Sequence, residues 1–214
     1  IFTNAFDSKP KDVKIRPILE AIRNGKYEIQ INHLRNLLKD GKKEEYDRVK
    51  KKLPAFTISG KFNTRDATDL LEHSGIMQID IDKVETPTDL RAQLIQDPHI
   101  CAAFISPSGK GVKCLILTNP DHTKHKAAFI ACENHLKARY NVQIDKACKD
   151  VNRLCFVSFD SDLRTNPDAS PLPIPEETPK NPLQKKSFTK QSDNETANRL
   201  RSAIQALNAE EYET

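Results

Sequence analysis

Three observations predict an α+β fold for this chain. Residues 75–83 read Gly-Ile-Met-Gln-Ile-Asp-Ile-Asp-Lys, alternating apolar and polar side chains as a half-buried strand does. Strand and helix signals then succeed one another as β-α-β-β-α-β over residues 75–166. Ahead of that unit, residues 1–74 are dominated by helical spacing, which predicts a mostly helical subdomain packed on it.

Within residues 11–53 three helices are expected. Ile15, Ile18, Leu19 and Ile22 share one helical face, and Gly25 supplies a stop. Ile31, Leu34, Leu37 and Leu38 repeat the pattern before Gly41. The third helix, 42–53, turns Tyr46, Val49 and Leu53 inward and ends at Pro54. Its outer side carries Lys50, Lys51 and Lys52 among other cations, which is either a solvated face or a contact for a phosphate backbone. Residues 55–59 read as a strand, and 67–73 as a short helix capped by Thr64 or Asp66.

The β-α-β-β-α-β unit places strands at 75–82, 100–105, 112–118 and about 153–159. Its helices lie at about 87–96, with Thr86 as N-cap and Pro87 at the first helical position, and at 121–139. This is the ferredoxin-like or RNA-recognition-motif arrangement, whose sheet order is 4-1-3-2 with antiparallel neighbours. In that order the end of strand 1, the 106–111 hairpin and the approach to strand 4 meet at one edge, and Asp80 and Asp82 face an open side. Six prolines in residues 167–182 make 167–186 a stiff linker, and helical spacing at Leu200, Ile204 and Leu207 starts a further helical module at 187–214.

The charged fraction is 30% and the net charge +4, compatible with nucleic acid without demanding it. No apolar run is long enough to span a membrane, and no membrane partner is expected. Five cysteines without a C-x-x-C pair point to reduced thiols and a cytoplasmic location.

Asp80 and Asp82, at i and i+2 on a strand, project from one face roughly 6–7 Å apart at the backbone. Side by side they repel unless a cation lies between them, and oxygen ligands suit Mg²⁺ or Mn²⁺. A solvated polar face is the alternative. Asp145, beside Ile144, offers the third carboxylate that a two-metal site needs, with Asp150 as its competitor. The hairpin Ser106-Pro107-Ser108-Gly109-Lys110-Gly111-Val112-Lys113 combines glycines, hydroxyls and lysines that suit phosphate oxygens, although such a turn is also ordinary hairpin chemistry. Lys113 lies inside an apolar strand and so requires an anionic partner. Arg153 opens another apolar strand, as a structural ion pair or as a phosphate or sugar contact. His122, His125, Cys132 and His135 spread over about 20 Å of helix and cannot share one zinc, so no zinc is expected.

Taken together, Asp80-Ile81-Asp82, Ser-Gly-Lys-Gly-Val-Lys and Ile144-Asp145 followed by Arg153 resemble the three motifs of the archaeo-eukaryotic primase superfamily. Those motifs are hydrophobic-Asp-x-Asp, Ser-x-His and hydrophobic-Asp. The stretches at 53–60, 104–111 and 153–160 look more narrowly like the VirE-type N-terminal domain of bacterial, phage and CRISPR-associated primase-polymerases. One departure stands out: Gly111-Val112-Lys113 occupies the Ser-x-His place, so a permanent cation replaces the family's histidine.

The resemblance implies a primase-polymerase palm and a template-dependent nucleotidyl transferase that releases pyrophosphate. Asp80, Asp82 and Asp145 would hold two Mg²⁺ or Mn²⁺ ions. Ser106, Ser108, Gly109, Lys110, Gly111, Lys113 and Arg153 would bind a nucleoside triphosphate. Single-stranded DNA template and primer, and a C-terminal helical or helicase module, would be its partners. The other classes kept open are a catalytically quiet nucleic-acid-binding module and a metal-dependent nuclease.

Overall fold

Two apolar layers sandwich one antiparallel sheet. The computed structural model describes residues 1–119 and 121–175. The elements are helices α1 (Ile15–Arg23), α2 (Glu28–Lys39) and α3 (Lys43–Lys50), and strands β1 (Ala55–Thr57), β2 (Gly60–Phe62), β3 (Leu70–His73) and β4 (Ile76–Ile81). Then come α4 (Pro87–Leu94), β5 (Ile100–Ile105), β6 (Val112–Leu117), α5 (His125–Tyr140), β7 (Leu154–Phe156) and the two-residue β8 (Arg164–Thr165). The fold is α+β.

The main sheet has the order β4-β6-β5-β8 with antiparallel neighbours. Its register puts Met77, Ile79 and Ile81 opposite Ile116, Cys114 and Val112. Those side chains are buried against Leu90 and Leu94 of α4 and Phe129, Cys132 and Leu136 of α5. Each fully buried side chain of this size contributes about 1.5–3 kcal/mol. His125 and Cys132 lie on the inward side of α5 with Phe129 and Leu136.

The opposite face of the sheet departs from expectation. It was to be open, yet Ala102, Phe104 and Leu115 are fully buried beneath Ile18, Ile22, Ile31 and Leu34 of α1 and α2. Three apolar side chains on that face demand a cover, and the amphipathic N-terminal helices need a surface to bury. Asp80 and Lys113 occupy the end of this face.

A second departure concerns strand 4. The strands at 75–82, 112–118 and 100–105 do lie in the order 1-3-2, but β7 does not flank β4. It pairs antiparallel with β1, Leu154 opposite Thr57 and Phe156 opposite Ala55. The Ala-Phe-Thr segment is itself apolar and strand-forming, and it brings Phe2 along through a bridge to Ala55.

The third departure lies at 67–73. A single 3-10 turn, Ala67–Asp69, is capped by Asp66, and β3 follows it in place of a helix. Pairing with β2 is why: Gly60 sits so close to β3 that a Cβ there would lie 2.6 Å from the Glu72 carbonyl oxygen.

In the expected linker, residues 167–175 lie along the domain. Ser170 N–H donates to the Pro98 carbonyl and Leu172 N–H to that of Leu117, and the Leu172 side chain is buried in the core. The rest of that segment and the helical module expected at 187–214 lie outside the described residues.

Candidate functional site

The site begins with strand register. Pairing of β4 with β6 sets Asp80 opposite Lys113, and the Lys113 Nζ donates to Asp80 Oδ1 at 2.6 Å. Both side chains are nearly buried, at 7% exposure for Lys113 and 12% for Asp80. Gln78, two residues back on the same face, donates its amide to the same oxygen at 3.2 Å. Burial alone would push the Asp80 carboxyl up, but the Lys113 ammonium, the Gln78 amide and the Arg153 charge together hold the group below its ordinary value. Burial alone would lower Lys113, and the Asp80 charge reverses that too, raising it.

Asp145 arrives from 65 residues further along. Its backbone N–H donates to the Asp80 carbonyl at 2.9 Å, and its carboxylate caps the 3-10 turn Lys146–Lys149 through Ala147 N–H. Arg153 closes the arrangement with a 2.6 Å contact to the other Asp145 oxygen. Ligand atoms of Asp80, Asp145 and Cys148 lie within 4.8 Å of one another. Burial, followed by the charge of Asp80, pushes the Cys148 thiol up to about 12, so at neutral pH it keeps its proton. Two of the three donors gathered here are carboxylate oxygens, which fit a hard divalent ion such as Mg²⁺ or Mn²⁺ better than the soft thiol does.

A cleft of about 600 Å³ opens over Asp80, Lys113 and Arg153. Lys50 and Lys51 of the α3 end, Arg65 and the ring of Phe6 line it as well. Lys50 belongs to the interior of this cleft rather than to an outer helix face. Its ammonium lies 5.8 Å from the centroid of the Tyr46 ring and 5.4 Å from that of Phe156. Burial, then the neighbouring Lys113 charge, hold it below its ordinary value.

A family model for the BT4734-like N-terminal domain matches residues 48–164, more than half of the 214-residue chain. The chain belongs to this family. No curated protein matches it, and no solved structure does. The BT4734-like domain contains Lys50, Asp80, Lys113, Asp145 and Arg153, whereas α1, α2 and Phe6 precede the matched residues.

The residues singled out by sequence divide into several places within and beside the BT4734-like domain. Asp80, Asp145, Lys113 and Arg153 come together. Asp82 lies one residue past the end of β4, exposed, and is outside the close cluster. Gly111 backs onto it: a Cβ at that position would stand 2.6 Å from the Ile81 carbonyl oxygen. Ser106 is buried, its hydroxyl 3.0 Å from that of Ser108. Gly109, at φ +74°, and Lys110 spend their backbone N–H groups on Ser106 O and Ser108 Oγ, within the turn. With Ser108 they line a separate cleft of about 850 Å³ beside Arg35 and Arg91. The cations expected to share one triphosphate therefore divide between two clefts. Lys51 is at the rim of the first cleft, and Lys52 is exposed.

Sequence reasoning missed the inward position of Lys50. Its i+4 spacing from Tyr46, an inward residue, was the available signal. Nothing local marks Arg65 or Phe6, which tertiary packing alone brings to the cleft.

Proposed function

We propose that this domain is a template-dependent nucleotidyl transferase of the primase-polymerase kind, acting in the cleft above Asp80. The observation that carries the reading is the convergence of Asp80 and Asp145, distant in sequence, beside a cleft that Asp80 lines together with Lys50, Lys113 and Arg153. The resemblance of the Asp-x-Asp, Lys113 and Asp145 segments to primase motifs supports the same conclusion. So does the 1-3-2 strand order with α4 and α5 on one face, as in an RNA-recognition-motif-like palm whose fourth strand has moved to β1.

In this reading Asp80 and Asp145 hold a divalent ion, with Asp82 at the strand end as a further oxygen donor. Bound there, Mg²⁺ or Mn²⁺ supplies positive charge against the α-phosphate and the leaving pyrophosphate. Lys113 and Lys50 neutralise triphosphate oxygens from the floor and wall of the cleft. Arg153 orients the Asp145 carboxylate and offers its remaining donors to phosphate. The 3′-hydroxyl of a primer attacks the α-phosphorus, and pyrophosphate leaves. Five unpaired cysteines support a reducing, cytoplasmic setting, and no helix among the described residues is long and apolar enough to cross a membrane.

A second reading has one observation in its favour. Asp80 is already neutralised by Lys113, as a structural ion pair in a quiet nucleic-acid-binding module would be. Incubating the protein with labelled nucleoside triphosphates, Mn²⁺ or Mg²⁺ and a primed single strand separates the two. Incorporation that disappears in Asp145→Asn supports the transferase; binding of the strand with no incorporation under either metal supports the quiet module.

A further inference from the structure

Phe6 is 76% exposed, although an aromatic ring of this size is ordinarily worth burying. It is no loose end. Asn4 Oδ1 accepts its N–H at 2.8 Å, and Asp7 accepts from Thr3 N–H at 3.0 Å and from Lys9 N–H at 3.0 Å. On either side the segment is tied to the domain, after Phe6 by the Arg65 backbone N–H donating to the Ser8 carbonyl at 3.1 Å. Phe2 N–H donates to the Ala55 carbonyl at 2.7 Å, Ala5 N–H to that of Lys51 at 2.9 Å, and the Arg65 guanidinium to the carbonyl of Ala5. The chain thus builds a fixed turn whose product is a ring displayed at the mouth of the 600 Å³ cleft.

Across that cleft five cationic side chains face three carboxylates, a balance that favours an anion. Phosphate-binding charge at the floor and an exposed aromatic at the mouth are the two halves of a nucleotide site. A nucleobase stacks on such a ring whatever its identity, while its phosphates reach the cations. The volume also suits one nucleotide, within the 300–1,000 Å³ usual for small-ligand clefts.

We propose that Phe6 is a stacking platform for a nucleobase whose phosphates lie at Lys50, Lys113 and Arg153. This rests on the nucleotidyl-transferase reading of the same cleft and adds a base-contacting residue from outside the matched family region. The base belongs either to a free nucleotide or to a nucleic-acid strand. A backbone held in place by a pre-formed turn loses little freedom when its ring stacks.

The chain contains no tryptophan, so Phe6→Trp introduces a single indole reporter at the site. Stacking predicts quenching of its fluorescence by a nucleoside triphosphate or by a short single-stranded oligonucleotide, and none by inorganic tripolyphosphate. Quenching by the mononucleotide assigns the base to the free nucleotide; quenching by the oligonucleotide alone assigns it to the strand. In parallel, Phe6→Ala weakens binding of the base-bearing ligand by roughly 5- to 150-fold and leaves tripolyphosphate affinity unchanged. Wild-type protein that binds nucleotide, joined to a Phe6→Ala variant of equal affinity and an unquenched Phe6→Trp, overturns the role of Phe6 alone. Equal loss of nucleotide and tripolyphosphate in Phe6→Ala also overturns it, because the turn then acts only on the cleft's shape. Wild-type protein that binds neither nucleotide, oligonucleotide nor tripolyphosphate overturns the transferase reading along with it.

Discussion

Asp80 and Lys113 face each other across adjacent antiparallel strands, 2.6 Å apart and almost wholly shielded from water. Each is tolerable at that depth because of the other. Lys113→Ala strands the Asp80 carboxylate, and breaking one side of a buried pair costs about 3–5 kcal/mol. Urea denaturation of Lys113→Ala therefore shows a lower midpoint, and combining Lys113→Met with Asp80→Asn recovers most of the loss. A Lys113→Ala midpoint equal to wild type would mean that the pair is solvated. For activity work Asp80→Asn is preferable to Asp80→Ala, because the amide can still accept from the Lys113 ammonium.

Metal binding offers a sharper test of the acidic cluster. Mn²⁺ affinity falls at least tenfold in Asp145→Asn, since one of two converging carboxylates is gone. Cys148→Ser leaves it unchanged, because a soft thiol is a poor ligand for a hard ion such as Mn²⁺. Mn²⁺ titration followed by electron spin resonance reads both variants, and a Cys148→Ser defect would overturn the oxygen-only assignment.

Acid should destabilise the protein early, through a buried histidine pair that does not line the cleft. His73 Nε2 and His125 Nδ1 are 3.0 Å apart, joining β3 to the start of α5. Burial, then the neighbouring His73, pull His125 from 6.5 down to about 4; burial, then His122, lower His73 against a weaker opposing pull from Asp121. The unfolded chain therefore binds protons that the folded one refuses. Stability is full above pH 6.5 and falls as the pH drops from about 6.5 towards 4, by about 3 kcal/mol for His125 alone. The depressed carboxyls of Asp80 and Asp97 act in the same direction but only below their ordinary range near 3.8. Thermal melts from pH 7.5 to 4.5 should show this slope, and His125→Leu should flatten it.

The lysines at 50–52 divide by position, and so should their effects. Lys50→Met lowers nucleotide affinity, since that ammonium lies inside the cleft. Lys51→Ala with Lys52→Ala lowers the log–log salt slope for single-stranded DNA by about 1.4, at roughly 0.7 per phosphate contact, and any smaller effect on nucleotide affinity comes from Lys51 at the cleft rim. An unchanged slope measured over several salt concentrations makes those two a solvated face.

Much of this was legible from local sequence, and the reasons are specific. Alternation in residues 75–82 is a property of neighbouring side chains, so β4 and its buried Met77, Ile79 and Ile81 could be read directly. Pro87 marked the start of α4 in the same way. A lysine within the apolar run of β6 demanded an anion, and Asp80 supplies it. The sequence by itself determined the α+β class, most element boundaries and the acidic and basic residues that could meet.

Tertiary structure decided which of them do. Asp145 reaches Asp80 through a backbone hydrogen bond spanning 65 residues, and no periodicity encodes that. Whether α1 and α2 or solvent covers Phe104 and Leu115 depends on competition among all the apolar faces of the chain, as does the choice of β1 over β4 as partner for β7. Lys50 turned inward because Tyr46 and Phe156 offered their ring faces, and Ser108, Gly109 and Lys110 turned to another cleft because their turn satisfies itself beside Arg35. Local pattern sets what each segment can be; burial and pairing, settled over the whole molecule at once, set what it meets.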